Sequence, residues 1–145
     1  MSVTNPVNTN NQSTWLYDRI KVFLGCNTFE EHAYKAPAAE VTLTNGQVMG
    51  RVSATGALLE LKSAAVDGSE IPFGILVGDH TIGIGETPNL SVCVSGNVSL
   101  NDIVFDGADT VATVVDGRRL DDRIAGDTLG VKLISGTENT IDDNV

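Results

Sequence analysis

The chain has 145 residues, with 19 acidic against 9 basic side chains and a formal net charge of −10 at pH 7. That charge repels phosphate backbones, and no apolar run approaches membrane-spanning length, so neither nucleic acid nor membrane is an expected partner. The length suits one domain with its own core, and with aromatics at 5% that core must be chiefly Val, Ile, Leu and Ala.

Residues 1–14, MSVTNPVNTNNQST, offer little to bury and lack the apolar centre of an export signal. They read as a flexible arm on a protein made in a cytoplasm and not exported by a signal of its own. Trp15-Leu16-Tyr17 then sets the only Trp beside one of two Tyr. Two readings stand: an anchor packed on its own domain, or a contact with a partner, where Trp and Tyr are favoured. The expected division is an arm at 1–17, a β-rich body at 18–136 and an acidic tail at 137–145.

Ile20, Val22 and Leu24 alternate with Lys21 and Phe23, which predicts a strand. Residues 26–40 are irregular. Thr28 and Glu31 have capping-box spacing for a short helical turn, Pro37 bars a helix beyond it, and the segment reads as a connector.

The stretch 41–77 is the most patterned. Val41 and Leu43 alternate with threonines, and Asn45-Gly46 turns the chain into a return strand bearing Val48, Gly50 and Val52 on one face. Residues 53–56 turn it again. Leu59 and Leu61 alternate with Glu60 and Lys62, which points the leucines inward. A loop at 63–70 precedes a strand with Pro72 near its start, as a first or edge position allows.

Residues 78–89, GDHTIGIGETPN, read as a loop. Gly83-Ile84-Gly85 is not a phosphate loop, because no Gly-Lys-Ser/Thr and no helical pattern follow. Leu90, Val92, Val94 and Gly96 alternate with Ser91, Cys93 and Ser95 in the cleanest half-buried strand. A turn or short helix start at 98–102, an apolar run at 103–105 and a strand at 111–115, closed by Asp116-Gly117, come next. Arg118–Ala125 reads as one short helix, with Leu120 and Ile124 on one face and Gly126 past its end. Residues 131–134 form a last strand.

Reactive side chains do not gather into a pattern. Cys26, His32, His80 and Cys93 match no compact zinc spacing, and Cys26 with His32 gives no activated nucleophile. Two distant thiols make no disulfide framework, although one bridge stays open. Asp102, Asp106 and Asp109 lack the order of a calcium loop and read as solvated turns. Asp121-Asp122 suit the first turn of a helix. No catalytic, cofactor-binding or metal-binding residue is expected, and no enzyme.

Gly46-Gln47-Val48-Met49-Gly50-Arg51, Thr55-Gly56, Ala65-Val66-Asp67-Gly68-Ser69-Glu70 and Pro72-Phe73-Gly74-Ile75-Leu76, in that order, resemble the lambda-type head decoration proteins of tailed phages. That family shows a G-x-V-L-G-[KR] turn-strand, a T-G or S-G turn, an A-x-D-G-S loop and an x-G-I-L strand; Met49 stands where Leu is usual. Val92 to Val98 looks like the family's V-x-V-x-G-x-V strand, and Val114 through Val131 is similar to members that close with a short helix and a strand.

The resemblance implies a mainly-β, single-domain β-tulip-like barrel or sandwich with one or two short helices and an extended N-terminal arm. It implies homotrimers on the outside of an expanded icosahedral head, with the major capsid protein and the chain itself as partners, no cofactor, and a stabilising role. The family's arm adds a strand to a capsid element, which by position makes Val3, Thr4, Asn5, Pro6, Val7, Trp15, Leu16 and Tyr17 the capsid contact and leaves 41–77 as scaffold. The alternative is a β-sandwich binding module, for carbohydrate or within a tail or baseplate, with Trp15 and Tyr17 as its aromatic platform.

Overall fold

The computed structural model describes residues 22–127 and 130–134. The predicted arm and acidic tail, and the first residues of the strand expected from Ile20, lie outside them. The alternating run that begins at Leu90 is the strand around which the body is built. This strand, β7 (Asn89–Ser99), follows β1 (Phe23–Ala33), β2 (Val41–Leu43), β3 (Val48–Arg51), β4 (Leu58–Glu60), β5 (Pro72–Leu76) and β6 (His80–Ile82). After it come a 3-10 turn (Leu100–Asp102), β8 (Val114–Val115), β9 (Arg118–Arg119), a helical turn α1 (Leu120–Asp122) that continues as a π turn (Arg123–Asp127), and β10 (Gly130–Ile134). The fold is mainly β, as expected.

The main sheet runs β1-β7-β5-β3-β4, with β10 also on β7. All pairs are antiparallel except β10 with β7. β1 follows one edge of β7 along nearly its whole length, and β5 and β10 share the other edge. Both faces of β7 are covered as well: Val92 and Cys93 point opposite ways and both are fully buried. The strand is therefore central rather than half-buried. Successive residues of a strand face opposite sides, and here they feed two cores. Val48, Ile75 and Cys93 enter one apolar cluster, while their neighbours Met49, Leu76 and Val92 enter the other.

The helical turn expected within 26–40 does not form. Thr28 to Glu31 continue β1 and pair with Ser95 to Ser91. Hydrogen bonds from the edge of β7 outweigh a two-residue capping pattern, whose propensity is a weak prior. The Asn45-Gly46 turn forms, with the Gln47 N–H donating to the Thr44 carbonyl at 3.0 Å. It does not fold β2 against β3, however. The Asn45 side chain accepts the Gly78 N–H at 2.7 Å, and the Asp79 carboxylate accepts the Asn45 N–H at 2.7 Å. These bonds tie the turn to the end of β5, and β2 pairs instead with β6 in a separate two-stranded sheet. A strand therefore lies inside the expected 78–89 loop.

The β3–β4 hairpin forms about Gly56, whose φ is 77°, but β4 presents the face opposite to the expected one. Leu58 and Glu60 point inward and Leu59 is half-buried, while Leu61 is buried as predicted. Pro72 is the first residue of β5, as expected. The 111–115 strand shrinks to β8, which pairs with β9 across Asp116 (φ 50°) and Gly117 (φ 78°), a two-residue turn with both φ positive. The helix accordingly starts at Leu120, and Leu120 and Ile124 are both fully buried, as their spacing predicts.

Candidate functional site

Val3, Thr4, Asn5, Pro6, Val7, Trp15, Leu16 and Tyr17 all lie outside the described residues. What is described is the point from which their segment departs. Val22 is buried in the first apolar cluster, and its carbonyl accepts the Ser99 N–H at 2.7 Å. The segment thus enters β1 from a fixed root beside the end of β7.

The reactive side chains are held apart. Cys26 is exposed, Cys93 is buried and both are free thiols, so no bridge joins them. The Cys93 thiol sits between the Asn27 amide (3.4 Å) and the Ser95 carbonyl (3.0 Å), and burial pushes its pKa up, which makes it a poor nucleophile. His32 lies 3.0 Å from a Glu30 carboxylate oxygen and edge-on to Phe73, with 4.9 Å between ring centroids. His80 is on β6, with its Nε2 2.9 Å from the Val77 carbonyl. Among the described residues no group of three or more His, Cys, Asp and Glu is placed to hold a metal ion.

The three aspartates read as solvated turns instead fasten loops. Asp102 accepts the Ser99 hydroxyl at 2.7 Å. Asp109 accepts both the Ser63 N–H (2.9 Å) and its hydroxyl (2.6 Å), which pins the 63–70 loop across 46 residues of sequence. Asp106 pairs with Lys62 at 3.6 Å.

The motif residues of 46–76 converge. The Ser53 N–H donates to the Asp67 carbonyl at 2.8 Å. Asp67 accepts the Ser69 N–H (3.0 Å) and hydroxyl (2.6 Å), which hold its carboxyl below the usual carboxylate range. Gly50 has no room for a side chain, because a Cβ would run into the Ser69 carbonyl. The two loops are thereby zipped into one rigid end of the body. Beside it runs an open groove of about 690 Å³, over which the Arg51 guanidinium stacks 4.3 Å from the Phe73 ring centre. No local pattern announces this groove, because its two walls, residues 51–54 and 66–73, are separated in the chain by β4 and its loop and meet only in the fold.

The charged groups described above fasten neighbouring loops or stack on a ring, and so hold the shape of a mainly-β body. Residues 30–117 match the family model for bacteriophage lambda head decoration protein D. The chain belongs to that family, whose members are structural components of the phage capsid rather than enzymes. No curated protein matches the chain.

Proposed function

We propose that this chain is a capsid cement protein that seats on the outer surface of an expanded icosahedral phage head as homotrimers and stabilises the shell. The family match over residues 30–117 carries this reading. In it, the 1–17 segment is the contact arm, 18–136 the body and 137–145 a tail. Val3 to Val7 and Trp15 to Tyr17 engage the major capsid protein, with main-chain hydrogen bonds to a capsid strand supplying affinity. Three arms on one trimer turn weak single contacts into avidity. The fixed root at Val22 supports this use, because an arm leaving a packed body loses less freedom on binding than one leaving a loose loop.

The test is co-sedimentation of the full chain with expanded and unexpanded heads of the phage that encodes it, alongside light-scattering mass in solution. Selective binding to expanded heads, a trimer mass, and loss of binding on deletion of residues 1–17 with an unchanged melting temperature are expected. A stable monomer without head affinity refutes the proposal.

A further inference from the structure

The two chain segments that leave the described body do so at one end of β7. Val22 passes Ser99 on one edge, its carbonyl accepting the Ser99 N–H at 2.7 Å. Ile134 pairs with Ser99 on the other edge, at the close of β10. β1 runs antiparallel to β7 and starts here, while β10 runs parallel to it and finishes here. The two exits are therefore two strand spacings apart, about 10 Å, with Ser99 between them.

The two segments carry opposite charge. Residues 135–145 hold Glu138, Asp142 and Asp143 and no cation. Arg19 and Lys21, just before Val22, are the only basic side chains ahead of Lys35, and with Asp18 they leave residues 1–21 net positive on a chain of net charge −10. At the exit itself Asp102, which accepts the Ser99 hydroxyl at 2.7 Å, repels the carboxylates of the tail. Extended chain covers at most about 3.5 Å per residue, so Glu138 reaches about 14 Å from Ile134 and spans the gap to Lys21. A tether this short holds the tail near those cations at millimolar effective concentration. Single exposed ion pairs are weak and screened by salt, so the restraint they form opens readily. Lys132, exposed on β10, is the competing partner: it would hold the tail on its own strand and leave the N-terminal segment alone.

We infer that the acidic tail is a latch on the N-terminal segment. In the free protein Glu138, Asp142 and Asp143 pair with Arg19 and Lys21, and the head opens these pairs when it engages residues 1–17. The regulatory step rests on the head attachment proposed above; the pairing itself does not.

Trypsin cuts after arginine and lysine, so cleavage after Arg19 and Lys21 reads the pairing without heads. The full chain is compared with its Glu138→Gln/Asp142→Asn/Asp143→Asn variant at about 0.02 M and about 0.5 M salt. In low salt the neutral-tail variant is expected to be cut about threefold or more faster than the parent, and in high salt equally fast, with the parental melting temperature. Equal rates in low salt overturn the inference.

Expanded heads that lack decoration protein test the consequence. In low salt the neutral-tail variant is expected to bind them about threefold more tightly than the parent, and to lose that gain when Arg19→Gln and Lys21→Gln are also present. The cycle separates the pairing from the lower charge of the variant and from Lys132. Unchanged binding by the neutral-tail variant overturns the latch. Weaker binding does so too, because the tail then contacts the head itself, as does a gain that persists without Arg19 and Lys21. A parent that binds no heads refutes the attachment, while the trypsin comparison still decides the pairing.

Discussion

The Tyr34 hydroxyl donates a hydrogen bond to the Glu60 carboxylate inside the second apolar cluster, where Tyr34 is 1% exposed. The two residues belong to segments at opposite ends of the main sheet path. A bridge between Tyr34 and Leu58, with the Lys35 N–H donating to the Leu58 carbonyl at 2.9 Å, joins those ends. Burying a carboxylate among leucines is costly unless it is bonded, so this one hydroxyl lets β4 turn its acidic residue inward.

Removing the donor exposes that cost. Tyr34→Phe keeps the ring and leaves a buried carboxylate without its hydroxyl partner, and is expected to lower stability by about 1–3 kcal/mol in urea melts. Glu60→Gln retains an acceptor oxygen and is expected to stay within about 1 kcal/mol of the parent. Equal losses in the two variants refute the assignment.

The same pair sets an alkaline limit. Desolvation, then the bond to Glu60 and its charge, raise the Tyr34 pKa above its ordinary value. A folded pKa above the unfolded one means the contribution is whole below the unfolded value, near about pH 10, and is lost as pH rises beyond it. Between about pH 8 and pH 11, the urea midpoint of the parent should therefore fall more steeply than that of Tyr34→Phe. Parallel slopes would sink this account.

Two glycines of the patterned stretch should respond differently to alanine. At Gly50 a Cβ meets the Ser69 backbone, which the Asp67 hydrogen bonds hold in place, so Gly50→Ala must part the zipped loops at a cost of about 1–3 kcal/mol or more. Around Gly56 a Cβ meets nothing within 4 Å, and only its φ of 77° resists substitution, for about 1–2 kcal/mol. Hydrogen exchange separates the two. Gly50→Ala should also lose protection at the Ser53 amide, and Gly56→Ala should keep it.

These cases show what was legible in the chain and why. The alternation from Leu90 to Gly96, the turns at Asn45-Gly46 and Thr55-Gly56, and the Leu120–Ile124 face are local patterns, and each formed. The inward Glu60 was misread because its partner lies 26 residues upstream, and alternation alone cannot choose which face of a three-residue strand is buried. The 28–31 segment looked like a helical turn because nothing local announces the edge of β7 that captures it. For the site, the N-terminal segment was legible by position and composition alone. The bulge in β1, where the register against β7 shifts between Phe23 and Phe29, has no local signal either, because it depends on Gly96 meeting Cys26 and Asn27 across two strands.

Charge makes a last prediction about how the chain meets the head. Residues 1–17 contain no Asp, Glu, Lys or Arg, although the whole chain carries −10. A contact made through that segment relies on main-chain hydrogen bonds and apolar burial, neither of which salt screens. Neighbouring copies on a crowded shell, by contrast, repel one another through their acidic bodies, and salt does screen that repulsion. Raising ionic strength from about 0.05 M to about 0.5 M shortens the screening length severalfold, so occupancy of expanded heads at fixed protein concentration should hold constant or rise. Titrations on heads at several salt concentrations read this directly. Affinity that falls tenfold or more over that range, as charge-driven attachment does, would move the contact from the uncharged segment to a charged face of the body.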